Sequence, residues 1–437
     1  MRCHNLGRCH MVTSSFEHAM YALADCNNFY ASCERVFEPH LECKPVVVLS
    51  NNDGCVIARS QEAKDIGFKM GEPIFKCQSR VHAHRVIVRS SNFSLYGDMS
   101  RRVMQTLRLF TPDVEVYSID EAFLDLSGLR GRDALSEMAR MRATVLRWTG
   151  IPISIGIGKT KTLAKLANHY AKKHPETGGV SEIPDPPEKM LRKVEVGDVW
   201  GVGRQWSKKL QMIGIQTAFD LASADEMLLR KSFNIVAMKT AMELRGHRFF
   251  GLEQTPEQRK TLLRSRSFGS AVTSWQDMSD AIASHATRAA EKLRQEQLVA
   301  KHLRVFMHTS LFNRFDPRYS ASDGVDLLPP TNVTHRIIKA ALDVARPLWK
   351  DGFKYKRAGV YMPDLAKGPV QQSLFDAEAQ IQNDKRMMQV LDDINTTMGA
   401  GTLHFASSGF SRKWHMRQLN RSPRYTTRWD ELPVITL

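Results

Sequence analysis

The chain carries seven cysteines, and none lies beyond residue 77. Cys3, Cys9, Cys26, Cys33, Cys43, Cys55 and Cys77 are odd in number and form no CxxC pair. That excludes a regular disulfide framework and leaves reduced thiols in a cytosol as the expectation. The Cys3-His4 and Cys9-His10 pairs match no common zinc spacing. Long apolar runs are also missing: none approaches the roughly 18 residues that span a bilayer. The first twenty residues lack the apolar centre of a signal peptide. They read as a disordered extension (residues 1–20), or as the product of an upstream start with Met20 as the functional one. A basic amphipathic helix with Trp or Phe on one face and any lipidation motif are absent, so a membrane is not expected as a partner. There are no internal repeats.

What the chain does have is positive charge. Across 437 residues, 62 Lys and Arg stand against 46 Asp and Glu, a net charge of +16. A basic excess of this size points to a polyanion, and nucleic acid is the natural one. The length suits roughly two to four domains.

Hydrophobic patterning gives the organisation. Tyr21 to Asp25 and Pro45 to Leu49 read as short buried strands, and residues 95–110 and 133–148 as helices. Between those helices, Val114 to Leu126 reads as two strands joined by a tight bend near Ser118 to Glu121. Ile151 to Ile157 is a further strand, followed by a helix over Thr160 to Lys173. Strands and helices interleave throughout, which predicts an α+β or α/β unit. Residues 190–255 read as short helices. From Ser265 to Met362 the pattern predicts two helices and about four strands, a small α+β domain. Beyond Lys367 the chain turns Gln/Asp-rich and reads as loose.

Three acids stand out. Asp25 closes the first strand, and Asp120 and Glu121 sit side by side at the predicted bend. Neighbours on a regular strand face opposite ways, so both can reach one centre only at a strand end or kink. The ordinary reading of Asp-Glu is a solvated surface pair, but the flanking Ile119, Ala122, Phe123 and Leu124 argue against it. A few such carboxylates suit Mg²⁺, which takes hard oxygen ligands. Lys159, Lys161, Lys165, Lys172 and Lys173 fall in a stretch without acids; a solvated face is the plain reading, phosphate binding the functional one. Gly201-Val202-Gly203, with Gly214 further on, reads either as a plain turn or as a hairpin offering backbone N–H groups to a phosphate. Arg264 and Arg266 flank a predicted strand and are candidate contacts to a nucleic-acid backbone.

Four segments together carry a resemblance: Asp25 to Glu34 (DCNNFYASCE), Leu49 to Ser60 (LSNNDGCVIARS), Tyr117 to Leu126 (YSIDEAFLDL) and Gly156 to Asn168 (GIGKTKTLAKLAN). With VWGVGR, SRSFG and YTTR following in order, the chain from about Met20 to Arg428 resembles the Y-family translesion DNA polymerases, UmuC branch. The resemblance implies an α+β right-hand polymerase. Palm and fingers would span 21–190, a helical thumb with a helix-hairpin-helix 191–258, and a little finger 262–363. A clamp-binding linker and a branch-specific tail would fill 367–437. It implies a DNA-directed DNA polymerase of the cytoplasm that copies damaged template with errors in the SOS response. Asp25, Asp120 and Glu121 would hold two Mg²⁺, assisted by the Cys26 carbonyl. Phe29, Tyr30, Lys64 and Lys165 would bind the dNTP, with Tyr30 as the aromatic gate against ribose; a core aromatic is the alternative for Tyr30. Gly201, Gly203, Arg264 and Arg266 would touch primer-template DNA. Gln371, Ser373, Leu374 and Phe375 resemble the motif that docks on a β sliding clamp, unless Leu374 and Phe375 pack on the little finger. A processed UmuD-type dimer and a RecA filament complete the implied partners. A catalytically silent scaffold on damaged DNA remains the alternative, although all three carboxylates are present. No second carboxylate cluster stands out for a proofreading nuclease.

Overall fold

The structure is a computed structural model that describes residues 20–129, 133–253, 258–313, 315–367, 378–410 and 414–432. Residues 1–19 of the initial extension and Gln371 to Phe375 lie outside the described residues. The chain divides into two compact units. One comprises Met1–Leu49, Cys55–Pro256 and Asn420–Leu437; the other Ser50–Gly54 and Glu257–Leu419.

The strands of the first unit are β1 (Tyr21–Cys26), β2 (Val46–Leu49), β3 (Val56–Arg59) and β4 (Ile87–Ser90), then β5 (Val114–Val116), β6 (Glu121–Asp125), β7 (Ile153–Gly158) and β8 (Val180–Glu182). They form a sheet ordered β5-β6-β1-β7-β8 and a smaller sheet ordered β3-β2-β4. β1 lies at the centre of the larger sheet, and all its residues are buried. Its alternation separates two faces. Ala22, Ala24 and Cys26 share a core with Leu95 and Met99 of helix Phe93–Leu107 and with Met138, Met141 and Val145 of helix Ala134–Thr149. Tyr21, Leu23 and Phe123 point the other way, toward Ala164 of helix Lys161–Lys173. Burying Leu23 and Phe123 stabilises that face by about 2–3 kcal/mol each.

Helix Lys161–Lys173 lies so close to β7 that an added Cβ on Gly156 would stand 2.0 Å from the Asn168 backbone nitrogen and 2.2 Å from the Ala164 carbonyl oxygen. Asn168 then ties the layers together, its Nδ2 donating to the carbonyls of Ser154 at 2.7 Å and Leu23 at 3.3 Å. Gly156→Ala therefore has to push the helix off the sheet. A loss of about 1–3 kcal/mol is expected from overpacking, read as a lower Tm together with weakened polymerisation. An unchanged Tm would show that the helix can shift freely.

After β8 come the short helices Arg204–Met212, Ala218–Ser223, Glu226–Ser232 and Ile235–Leu244, whose apolar core also takes in Leu163 and Leu166 of helix Lys161–Lys173. The second unit has β9 (Leu262–Val272), β10 (Leu298–Thr309), β11 (Ser320–Thr331), β12 (Tyr355–Met362) and β13 (Leu365–Lys367), ordered β11-β10-β12-β9 with β13 on β10. Helices Trp275–Gln295 and Thr334–Leu348 complete its core with Leu303, Val305, Val360 and Met362.

One element departs from the sequence reading. The tail predicted as loose forms helix Glu378–Thr397. Its Gln/Asp content hides a sparse apolar stripe, of which Met388 and Leu391 are buried. Tertiary partners hold the rest: Arg294 donates from Nε and Nη2 to the two oxygens of Asp392, each at 2.7 Å. A two-pronged charge-assisted pair of this kind overrides weak local propensity.

Candidate active site

The antiparallel register of β1 and β6 sets Asp25 directly opposite Glu121. Asp120 stands one residue before β6, in the bend. The bend is built by Ser118, whose Oγ accepts from the backbone N–H groups of Asp120 (3.2 Å) and Glu121 (3.0 Å) and donates to Asp120 Oδ1 (2.7 Å). The Cys26 N–H donates to the Asp120 carbonyl at 2.8 Å, closing the bend onto the end of β1. Asp25 and Asp120 line one cavity of about 840 Å³ together with Cys26, Tyr30, Lys64 and Lys172.

Two ammonium groups answer the acids. Lys172 Nζ lies 2.5 Å from Asp25 Oδ2, and Lys165 Nζ donates to both oxygens of Glu121 at 3.0 and 2.9 Å. Burial, opposed by Lys172 and aided by Glu121 across the strands, pushes the Asp25 carboxyl up to about 7. Lys64 is shifted downward, first by desolvation and then by the positive charges of Arg59 and Lys172. The site is thus a set of carboxylates walled by cations.

Among the described residues, no three Asp, Glu, His or Cys side chains converge tightly enough to enclose an ion. The donor set nevertheless fits a divalent cation. It offers hard carboxylate oxygens, and its two facing acids are each neutralised by a mobile ammonium that an ion could replace.

Tyr30 is the second residue of helix Phe29–Phe37 and is half-buried, lining the cavity while its ring stacks on Tyr96 at 4.4 Å and 15°. Both readings of Tyr30, cavity wall and packed aromatic, thus describe one position. The Phe29 ring is 3% exposed and belongs to the core, so this residue can offer a ligand only its backbone. Asn28 precedes it in the left-handed region at φ 50°, which turns the chain into the helix and leaves first-turn N–H groups at the cavity.

The acid-free lysine run divides by partner. Lys161 is buried and pairs with Glu115, Lys159 with Asp185 and Lys173 with Asp198. Lys165 and Lys172, seven residues apart and so on one helix face, serve the acids. Sequence reasoning assigned Lys64 and Lys165 to the site, carried Lys172 only as a member of the lysine run, and missed Arg59. For Lys172 the two-turn spacing from Lys165 was the available signal.

Elsewhere, Gly201 has φ +86°, a conformation that calls for glycine, whereas Gly203 is extended with open space around it. Both precede helix Arg204–Met212. Arg264 and Arg266 lie opposite the buried Val360 and Ala358 in the β9–β12 register. They face helix Trp275–Gln295 and line a cavity of about 520 Å³ with His285, Arg288 and Lys292. The opposite face of that sheet carries Arg304, Phe306, Arg357 and Tyr361 around a second hollow.

Residues 24–169 match the impB/mucB/samB family and residues 259–374 the C-terminal domain of that family. Residues 385–435 match a domain of unknown function, DUF4113. Protein UmuC of Salmonella typhimurium is 47% identical over 418 residues, 94% of this chain and 99% of that protein. Protein MucB of Escherichia coli is 40% identical over 421 residues, 96% of this chain and 100% of that protein. DNA polymerase IV of Pelotomaculum thermopropionicum is 32% identical over 256 residues, 57% of this chain and 61% of that protein. Among solved structures, a Y-family DNA polymerase chimera aligns with a TM-score of 0.62 at 21% identity, covering 80% of this chain and 100% of that one. An insertion ternary complex of Dbh DNA polymerase aligns at 0.52 with the same identity and coverage. These likenesses give the fold, an α+β polymerase. Among the described residues no helix is long and apolar enough to cross a membrane. Polymerases of this family are nucleotidyl transferases that work with divalent metal ions. The chain belongs to the impB/mucB/samB family, the UmuC branch of the Y-family polymerases, and is a translesion DNA polymerase.

Proposed function

We propose that the enzyme copies past damaged template bases with two Mg²⁺ held by Asp25, Asp120, Glu121 and the Cys26 carbonyl. The observation that carries this is the pairing of Asp25 with Glu121 across β1 and β6, beside Asp120 in a cavity that Tyr30 also lines. Such ions, when bound, activate the primer hydroxyl and offset the charge of the triphosphate. The chain's own groups do the rest. Lys165 and Lys64 hold triphosphate oxygens, Lys165 leaving Glu121 by rotation of its flexible stem. The first-turn N–H groups after Asn28 face the same phosphates. The Tyr30 ring lies beneath the sugar. Gly201 and Gly203 contact the DNA backbone; Arg264 and Arg266, which face helix Trp275–Gln295, do so from the rim of the cavity they line. In this reading the palm and fingers run over 21–190, the thumb over 191–258 and the little finger over 262–363.

The same reading makes this a damage-induced, cytosolic SOS enzyme that works with a processed UmuD-type dimer, a RecA filament and the β sliding clamp. Primer extension on an abasic template, with and without RecA and the UmuD-type dimer, tests it. Extension past the lesion that depends on both partners is expected; no incorporation under any combination refutes it.

Gln371, Ser373, Leu374 and Phe375 are the proposed clamp peptide. Two apolar side chains buried in a partner groove contribute about 1.5–3 kcal/mol each. Leu374→Ala with Phe375→Ala should therefore weaken clamp affinity at least about tenfold and leave clamp-free extension and Tm intact. A double variant that loses Tm and basal activity together would assign these side chains to packing instead.

A further inference from the structure

The segment matching a domain of unknown function ends inside the first unit, behind the aromatic that lines the nucleotide cavity. Helix Phe29–Phe37 carries a stripe at Tyr30, Glu34 and Phe37, positions one and two turns apart on one face. Each member of the stripe is held. The Tyr30 ring stacks on Tyr96, and the Tyr96 hydroxyl donates to Glu34 Oε1 at 2.6 Å. The same carboxylate oxygen accepts from Ser422 Oγ at 3.1 Å. Phe37 stacks on Tyr425 at 4.8 Å and 10°.

The tail is fixed in turn by the loop that opens helix Phe93–Leu107. Asn92 Nδ2 donates to the Ser422 carbonyl and Oγ, both at 3.0 Å, and to the Pro423 carbonyl at 3.1 Å. Ser90 and Asn420 exchange two hydrogen bonds at 3.0 Å, Ser90 N–H to the Asn420 carbonyl and Asn420 N–H to Ser90 Oγ. Tyr30, Tyr96, Glu34 and Ser422 thus form one continuous chain from the cavity wall to the tail.

Glu34 is fully buried, Tyr96 0% and Ser422 3% exposed. A carboxyl in such a place is costly unless its contacts are needed, and an apolar residue would pack the same space more cheaply. Burial raises the pKa of Glu34, and burial followed by the charge of Glu34 raises that of Tyr96, so the Tyr96 hydroxyl stays protonated and keeps donating. The two hydroxyls converge on a single oxygen, so Ser422 helps hold the anchor of Tyr96, while Arg89 Nε lies 3.8 Å from the other oxygen of Glu34.

We propose that the C-terminal segment Asn420 to Tyr425 is a positioning element for sugar discrimination, with Ser422 and Glu34 acting through Tyr96 to fix the height of the Tyr30 ring. This rests on the reading of Tyr30 as the gate against ribose. Ser422 and Tyr96 are positioning residues: the network holds them behind the ring, not against the substrate.

The test is single-turnover incorporation of matched dNTP and rNTP by the full chain with its partners. The variants are Ser422→Ala, Ser422→Thr, Tyr96→Phe and Tyr30→Ala, with Tm read on each preparation. Ser422→Ala and Tyr96→Phe should each lower selectivity for deoxyribose about tenfold, the scale of one buried hydrogen bond, while dNTP incorporation falls less than about threefold. Ser422→Thr keeps the hydroxyl and should restore selectivity. Ser422→Ala added to Tyr30→Ala should change selectivity no further, because the ring it positions is gone. Should Ser422→Ala prove insoluble, Tyr96→Phe decides, since it removes one oxygen from the same network. If Tyr30→Ala loses selectivity while Ser422→Ala and Tyr96→Phe keep it, the positioning role is overturned and the gate stands. If Tyr30→Ala itself keeps selectivity, the gate reading falls, and the positioning role with it.

Discussion

Asp120→Ala should abolish nucleotide addition while primer-template affinity stays within a few-fold of the parent. The two readouts separate because they depend on different groups. In the proposed mechanism polymerisation depends on a carboxylate that shares one cavity with Asp25 and Lys64, and losing a ligand of a catalytic cation removes several kcal/mol of transition-state stabilisation, about 10³-fold or more in rate. DNA affinity comes from Lys and Arg contacts to phosphates, which the substitution leaves in place. Local structure also survives, because Ser118 Oγ still accepts from the Asp120 and Glu121 N–H groups. Asp120→Asn sharpens the result, since it keeps the size of the side chain and removes the charge. It should be nearly as inactive as Asp120→Ala. Robust extension by either folded variant would remove Asp120 from the machinery.

Tyr30→Ala should admit ribonucleotides about 100-fold more readily relative to deoxynucleotides. The ring lines the cavity as a wall, and deleting a wall removes a clash rather than an attraction, so the gain falls on the competitor substrate. A clash of a few kcal/mol corresponds to that ratio. Tyr30→Phe keeps the stack on Tyr96 and should keep the selectivity, because in the proposed role it is the ring, and not the phenol oxygen, that excludes the 2′-hydroxyl. The measurement is the ratio of single-turnover incorporation efficiencies for the two sugars. An unchanged ratio in a Tyr30→Ala protein of lower Tm would leave Tyr30 as a packed aromatic of its helix.

Much of this site is legible in the sequence where local rules govern it. A short apolar strand ending in Asp25 and a bend at Ser118 to Glu121 follow from two-residue alternation and from the flanks of the acids. The helix bearing Lys165 follows from its apolar spacing and from Thr160, whose side chain caps its first turn. What escapes is decided far along the chain. Asn92 meets Ser422 across 330 residues, and no periodicity reports such a partner. Helix Glu378–Thr397 escapes because its stability lies in pairs such as Arg294 with Asp392 rather than in its own residues. The orientation of Arg264 and Arg266 was readable in principle. They share the period-two face of Leu262 and Phe268, both buried, and that face had to be the one turned toward the core.

The cross-strand partnership of Asp25 and Glu121 also governs which kinds of genetic change this enzyme can survive. Exchanging Ala22 or Ala24 for another small apolar residue alters volume alone. Adding or deleting one residue within β1 preserves composition and hydrophobicity yet inverts both faces, carrying Asp25 into the layer that holds Ala24 and Cys26. Such a frame slip silences chemistry in a single step without removing any catalytic side chain. The lengths of β1 and β6 are therefore held by the register that sets Asp25 opposite Glu121.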